Sequence, residues 1–316
     1  MMNILDKVAL AHVVMVAVGS YIPSLYLFFS SLCTVRSQKD PVRTAFTYAK
    51  YALFTFSAHA FFDIGNYSTY LIFSATYNYR DPEDEDFDWG RYASMMEALG
   101  ICTPVFRMVA KLSDVVTDIL IAIILLRLST AILTLYYSGG AAGKKLRHVS
   151  YAAAFAMSAL ALAFFGLQIR SIFDLRYGDI DIGADCYEKG LKVELAASVL
   201  IFVISLAVFV KAVMVKKQTK ADKDLTWAST MLVVASVVWL LHTSFAMASM
   251  AAWENFGSYW SAPRVGYELY FYILEVVFRI WPQFVTLVLV YVMGRAKANG
   301  IWSRQQNSSK QDEEGK

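Results

Sequence analysis

Ionisable side chains recur at helical spacing inside apolar runs, and their types are those of ion pairing and acid–base chemistry. Glu268, Tyr272, Glu275, Arg279, Gln283 and Thr286 follow one another at steps of three or four residues. Thr55, His59, Asp63, Asn66 and Tyr70 do the same, as do Arg107, Lys111, Asp114 and Asp118. Such spacing puts each set on one face of a helix. A charge inside a bilayer costs roughly 2.5–3.5 kcal/mol on insertion scales, so it turns toward a partner in the bundle interior. Convergence of the three stripes predicts a polar vestibule. His59 and Arg279 then lie near the midplane, with Asp63, Asn66, Asp118, Gln168, His242 and Glu275 in the outer half. Glu275 precedes Arg279 by four residues, the favourable order for an ion pair. The plainer alternative makes Glu275–Arg279 and His59–Asp63 structural pairs that fix helix register. Arg107, Lys111 and Asp114 are expected to be solvated above the membrane, Arg127 to snorkel from the opposite face, and His12 alone is not read as functional.

The elements that must position these groups are long and apolar. Of 316 residues 57% are hydrophobic and 17% charged, against roughly a quarter charged in soluble domains, and the mean hydropathy is +0.45. About 20 apolar residues cross the hydrocarbon as a helix. The chain reads as an all-α, polytopic membrane protein with seven transmembrane helices near 8–33, 45–74, 101–137, 149–173, 192–215, 227–252 and 266–294. Together they make one domain over 1–302, followed by a polar tail, 303–316, expected to be disordered. The run from Val8 to Cys33 exceeds a signal-peptide core and is taken as the first span. Pro104 is expected to break or kink the third helix, and Trp281-Pro282 to bend the last.

Charge alternates between loops. Arg36, Lys39 and Arg43, then Lys144, Lys145 and Arg147, then Lys216, Lys217, Lys220 and Lys223 follow the odd-numbered helices, with Arg295, Lys297 and Arg304 in the tail. Asp81 to Asp88 and Asp174 to Glu188 make the opposite loops acidic. The positive-inside rule puts the N-terminus outside and the C-terminus in the cytoplasm, in the plasma membrane or endoplasmic reticulum. Cys102 and Cys186 then face the same outer compartment, where a disulfide or two free thiols are equally compatible with the sequence. The sequons at Asn66 and Asn307 lie in a helix and in the tail, and neither suits glycosylation.

Function classes separate on particular residues. A retinal protein needs a Schiff-base lysine in the last helix, and none stands between Val265 and Gly294. A G-protein-coupled receptor would share the topology, but Leu135-Tyr136-Tyr137-Ser138 and Trp281-Pro282-Gln283-Phe284 replace that family's internal motifs. Four histidines, one in a basic loop, suit a zinc hydrolase poorly, so no metal and no cofactor is expected. Absence of paired broken helices disfavours a transporter. A membrane enzyme acting on a lipophilic substrate would use Glu275 or Asp63 as acid and Trp239, Trp281 and Tyr272 as aromatic walls.

The segment from Trp281-Pro282 through Gly294-Arg295 to Asn299-Gly300-Ile301-Trp302-Ser303 resembles the final helix of uncharacterised seven-helix integral membrane proteins of filamentous fungi. That resemblance implies a setting near specialised metabolism and assigns no reaction. The leading expectation is receptor-like binding of a small amphiphilic molecule in an outward-facing pocket lined by His59, Asn66, Asp118, Gln168, Trp239, His242, Tyr272, Arg279 and Trp281. The alternative is a membrane-embedded enzyme of terpene cyclase or isomerase type. Expected partners are the bilayer, the small ligand or substrate and a cytoplasmic protein; nothing in the charge distribution suggests nucleic acid.

Overall fold

The computed structural model describes residues 4–34, 44–78, 89–136, 143–253 and 268–295. All regular structure among them is helical. α1 (Ile4–Val16) passes through a π turn, Ala17–Tyr21, into α2 (Ile22–Thr34); α3 spans Thr44–Asn78, α4 Trp89–Tyr136, α5 Gly143–Tyr177, α6 Ile180–Gln218 and α7 Lys223–Trp253. The last rod is α8 (Glu268–Glu275), a second π turn over Val276–Ile280, and α9 (Trp281–Arg295). Among the described residues six segments are long and apolar enough to cross a membrane: Ile4–Cys33, Gly90–Tyr136, Tyr151–Tyr177, Ile180–Gln218, Leu225–Ala251 and Tyr270–Arg295. This is a multi-pass membrane protein. α3 is a rod of 35 residues, but His59, Asp63, Asn66 and its tyrosines keep it out of that group.

α4 is the central element. Its most apolar window is 56% buried, against 17% for α5, and it packs on α3, α5, α6, α7 and α9. Ala45, Ala49, Ala52, Phe56 and Ala60 form one buried, mostly small face of α3 that allows close helix packing. Ala228, Leu232, Ala235 and Trp239 do the same on α7. The outer faces of α2, α5 and α6 carry Tyr26, Phe155, Leu162 and Val203, exposed apolar side chains that suit contact with lipid. Hydroxyl pairs tie neighbours together: Ser24 with Ser57 at 2.9 Å, Thr117 donating to Thr55 at 2.9 Å and Ser205 with Thr243 at 2.7 Å.

Several boundaries differ from expectation. α5 and α6 are joined only by Gly178 and Asp179, so the acidic segment expected as a loop forms helix ends instead. Asp179 caps α6 by accepting from the Asp181 amide at 2.9 Å, and acidic residues there suit a helix N-terminus. Cys186 lies in α6 and is buried, Cys102 lies in α4, and both are free thiols, so the contemplated disulfide is not formed. Pro104 does not end α4, which runs on through it for 48 residues, about 72 Å at 1.5 Å each. The stretches 35–43, 79–88, 137–142 and 254–267 and the tail lie outside the described residues.

The first and last rods meet π turn against α9. A Cβ on Gly19 would stand 2.8 Å from Trp281 Nε1, so only glycine lets the indole lie against that turn. Gly19→Val is expected to cost about 1–3 kcal/mol by overpacking. Val18→Leu, at a position 63% exposed, should be neutral. Unfolding midpoints of the two purified variants check this; equal midpoints would contradict the seam.

Candidate functional site

The stripes on α4 and on the last rod meet in the core, and α7 closes the cluster. Arg279 Nη2 donates to Asp114 Oδ2 at 2.7 Å and Nη1 to Glu275 Oε1 at 3.0 Å. Gln283 Nε2 donates to Oδ1 of Asp114 at 3.0 Å and of Asp118 at 3.1 Å. Asp118 Oδ1 also accepts from Trp239 Nε1 at 2.9 Å, and its Oδ2 lies 3.2 Å from His242 Nε2. His242 Nδ1 stands 2.7 Å from the Arg279 carbonyl. That carbonyl belongs to the π turn just before Pro282, which has no N–H to continue the regular ladder.

A second cluster joins α1, α3 and α8. His12 Nε2 is 2.8 Å from Asp63 Oδ2, and its Nδ1 is 2.8 Å from the Tyr272 carbonyl. The Tyr67 ring packs on His12 at 4.0 Å between centroids and meets Tyr272 edge-on at 5.4 Å. Tyr67 donates its hydroxyl to Glu275 Oε2 at 3.3 Å, so Glu275 links the two clusters. In both histidines each ring nitrogen faces an oxygen that can only accept once the carboxylate is ionised. A neutral imidazole has one N–H. Each His–Asp pair therefore holds one proton more than a neutral imidazole beside a carboxylate, which leaves the pair neutral overall and suited to burial.

Three expectations change. Asp114 is 4% exposed rather than solvated, because Arg279 reaches it from the last rod. His12 is fully buried and partnered, and Asp63 pairs with it instead of with His59. His59 instead has Nδ1 3.0 Å from the Ala110 carbonyl. Lys111 is paired with Glu194 of α6 at 2.5 Å, an acid that belongs to none of the three stripes. Arg127 lies over the Tyr48 ring at 5.0 Å from its centroid and donates to the Tyr151 hydroxyl. Asp6, also missed, is buried and accepts from Ser74 at 2.8 Å. The signal for both α1 residues was present: Asp6, Ala9, His12, Val16 and Ser20 form one buried, largely small face.

Comparison with family models, curated proteins and solved structures finds no match. The site's chemistry alone carries the functional argument.

A cavity of about 360 Å³ opens between α4, α5 and α6 toward the α5–α6 turn. Arg176, Arg107 and Gln168 line it, with Met108, Leu175 and Leu191 as apolar wall. Below it a smaller space of about 40 Å³ reaches Asp114, Asp118, Arg279, Ser198 and Thr243. Lys111, Phe164 and Glu194 border both. The upper volume lies in the range of small-molecule sites, whereas the lower one suits only water-sized occupants. Of the expected pocket residues, Gln168 lines the upper cavity, while Asp118 and Arg279 line the lower. Trp239 and His242 join the network beside them; Tyr272 contributes its carbonyl to His12. Asn66 is half-buried on α3, and Trp281 packs on Gly19.

Ligand atoms of Asp114, Asp118 and His242 lie within 4.8 Å of one another, the spacing of a metal site. Their oxygens already accept from Arg279, Gln283, Trp239 and His242. The donor set thus fits an internal ion-pair network better than a cation, since the Arg279 guanidinium supplies the positive charge there.

Proposed function

We propose that the protein binds a small amphiphilic molecule, receptor-like, in the cavity between α4, α5 and α6. The observation that carries this is the shared floor. Lys111 and Glu194 border both the ligand-sized cavity and the small space reaching Asp114, Asp118 and Arg279. An occupant pressing on that pair acts beside the buried network, which joins α4, α7 and the last rod. In this reading seven helices cross the membrane, α3 being the polar-lined seventh. The N-terminus and the cavity mouth face outward, and the basic ends are cytoplasmic, open to a partner protein. Tags at residue 85 and in the tail should be accessible from opposite sides of sealed vesicles; labelling from one side would overturn the topology. The resemblance of the final helix supports a fungal setting, and in this reading the protein resides in the plasma membrane or endoplasmic reticulum.

An enzyme of cyclase or isomerase type is the second reading, favoured by the buried carboxyl groups. It is the weaker one, because Glu275 is engaged by Arg279 and Tyr67, and Asp63 by His12, while the space beside Asp114 and Asp118 is about 40 Å³. Ser171 is buried on the upper cavity wall, and Ser171→Phe should fill the space. Small-molecule mass spectrometry of purified wild type is expected to find a co-purifying compound that this variant has lost. A compound chemically converted by wild-type membranes alone would favour the enzyme. Equal retention by both proteins would contradict the cavity as the site.

A further inference from the structure

We infer that the small space beneath the cavity is a water site that connects the cavity to the Asp118–His242 pair and makes that pair a proton-exchange site, whatever the cavity itself binds. The space measures about 40 Å³, and Asp114, Asp118, Glu194, Arg279, Ser198 and Thr243 line it. A water needs roughly 10–15 Å³ and a few polar partners, so there is room for roughly two or three. Two of the lining residues carry buried polar atoms without a hydrogen-bond partner among the described residues: Arg279 Nε, a donor, and Glu194 Oε2, an acceptor. Leaving either unmatched is costly. Water can accept from the first and donate to the second. A metal cation would satisfy only the carboxylate and would face both Lys111 and Arg279, whereas an anion would face Asp114, Asp118 and Glu194.

Glu194 stands where the two spaces meet. Lys111 holds its Oε1 at 2.5 Å, which fixes the carboxylate at the junction and leaves Oε2 to water. On the inner side, Asp118 Oδ1 accepts from Trp239 at 2.9 Å and from Gln283 at 3.1 Å. Among the described residues Asp118 Oδ2 meets only His242 Nε2, at 3.2 Å, so it keeps a lone pair for water. Ser198 gives its hydrogen to Met250 Sδ at 3.3 Å, and its oxygen is a further acceptor along the way. Each step moves one proton: from His242 Nε2 to Asp118 Oδ2, from Asp118 to water, and from water to Glu194 and the cavity. The reverse sequence returns a solvent proton to the ring. The imidazole stays in place throughout, because Nδ1 lies on the Arg279 carbonyl at 2.7 Å. The titratable groups facing the pair come from α4 (Asp114, Lys111), α6 (Glu194) and the last rod (Glu275, Arg279), with His59 of α3 beyond Asp114. α5 presents only Ala161 and Phe164 to the space. The proton held in the core therefore equilibrates with the compartment that the cavity faces.

The test follows the His242 ring proton by NMR in the full-length protein, carrying isotope-labelled histidine and held in phosphatidylcholine nanodiscs, after transfer to heavy water. The signal is assigned by its loss in His242→Gln or, by elimination, from variants of the other histidines. Exchange of the backbone amides in peptides covering Asp118 and His242 is measured on the same sample by mass spectrometry. The ring proton is expected to exchange at least about tenfold faster than those amides, since it needs no opening of the helices. Ala197→Val, at a lining position 5% exposed, and Ala246→Val, facing it from α7, should fill the space. Each should slow the ring proton about tenfold and leave the amides unchanged, because exchange then waits for local opening. A ring proton no faster than the amides would overturn the proposal. So would one that stays fast in both valine variants, since it would then reach solvent by another route. The wild-type comparison decides proton access even if the valine variants fail to fold. No amphiphile is added, so failure of the cavity as a ligand site and failure of the proton route are separate results.

Discussion

Arg279→Met is expected to be the most damaging single change in the last rod, lowering stability by about 3–5 kcal/mol, the usual consequence of removing one partner of a buried ion pair. The guanidinium lies between two carboxylates, Asp114 and Glu275, at 2.7 and 3.0 Å. Without it, two negative charges face each other in the bundle interior with no cation between them. Arg279→Lys should recover only part of the loss, since an ammonium cannot reproduce the two-pronged geometry. The informative combination is Arg279→Met with Asp114→Asn and Glu275→Gln, which removes the charge on all sides and should restore more than half of the lost stability. Unfolding of the purified proteins in detergent measures the series. Additive losses in the triple variant would show that the three groups do not act as a unit.

Asp118→Ala should come close behind, at about 2–5 kcal/mol, because several buried donors lose their acceptor together. Trp239 Nε1, Gln283 Nε2 and His242 Nε2 all converge on this carboxylate. Asp118→Asn discriminates among accounts. Its oxygen can still accept from Trp239, and its NH₂ can donate to a neutral His242 ring whose Nδ1–H stays on the Arg279 carbonyl. The proton shared by the His–Asp pair is then unnecessary, so this variant should retain stability to within about 1 kcal/mol of wild type. Thermal melts with indole fluorescence report both changes. An Asn variant as unstable as the Ala variant would contradict the proton count.

Much of the architecture was legible because lipid imposes a simple rule: apolar runs of sufficient length become helices whose polar faces turn inward. The stripe from Glu275 through Gln283 and the pair Glu275–Arg279 were readable from spacing alone. Partners across helices were not. Asp114 looked like a solvated residue near a helix start because nothing local to α4 shows that Arg279 arrives beside it. His12 has no charged neighbour three or four residues away, so its pairing with Asp63 depends entirely on how α1 docks on α3. Glu194 was overlooked for the same reason, its partner Lys111 lying on another helix. The segment 180–191 was expected to be loop because acidic residues dominate it; they instead occupy the first turns of α6, where a helix favours negative charge. The π turns are invisible to a 3.6-residue pattern, although Gly19 and Pro282 mark where they fall.

The central claim is that a small amphiphile occupies the cavity between α4, α5 and α6. Photocrosslinking with a diazirine-bearing octanoate in phosphatidylcholine nanodiscs, mapped by peptide mass spectrometry and competed with unlabelled octanoate, tests it most directly. The account predicts competed adducts on α4 between Gly100 and Lys111, on α5 between Phe164 and Arg176, and on α6 between Tyr187 and Glu194. Adducts confined to lipid-facing residues such as Phe155, Leu162 and Val203, or undiminished by competitor, would contradict it.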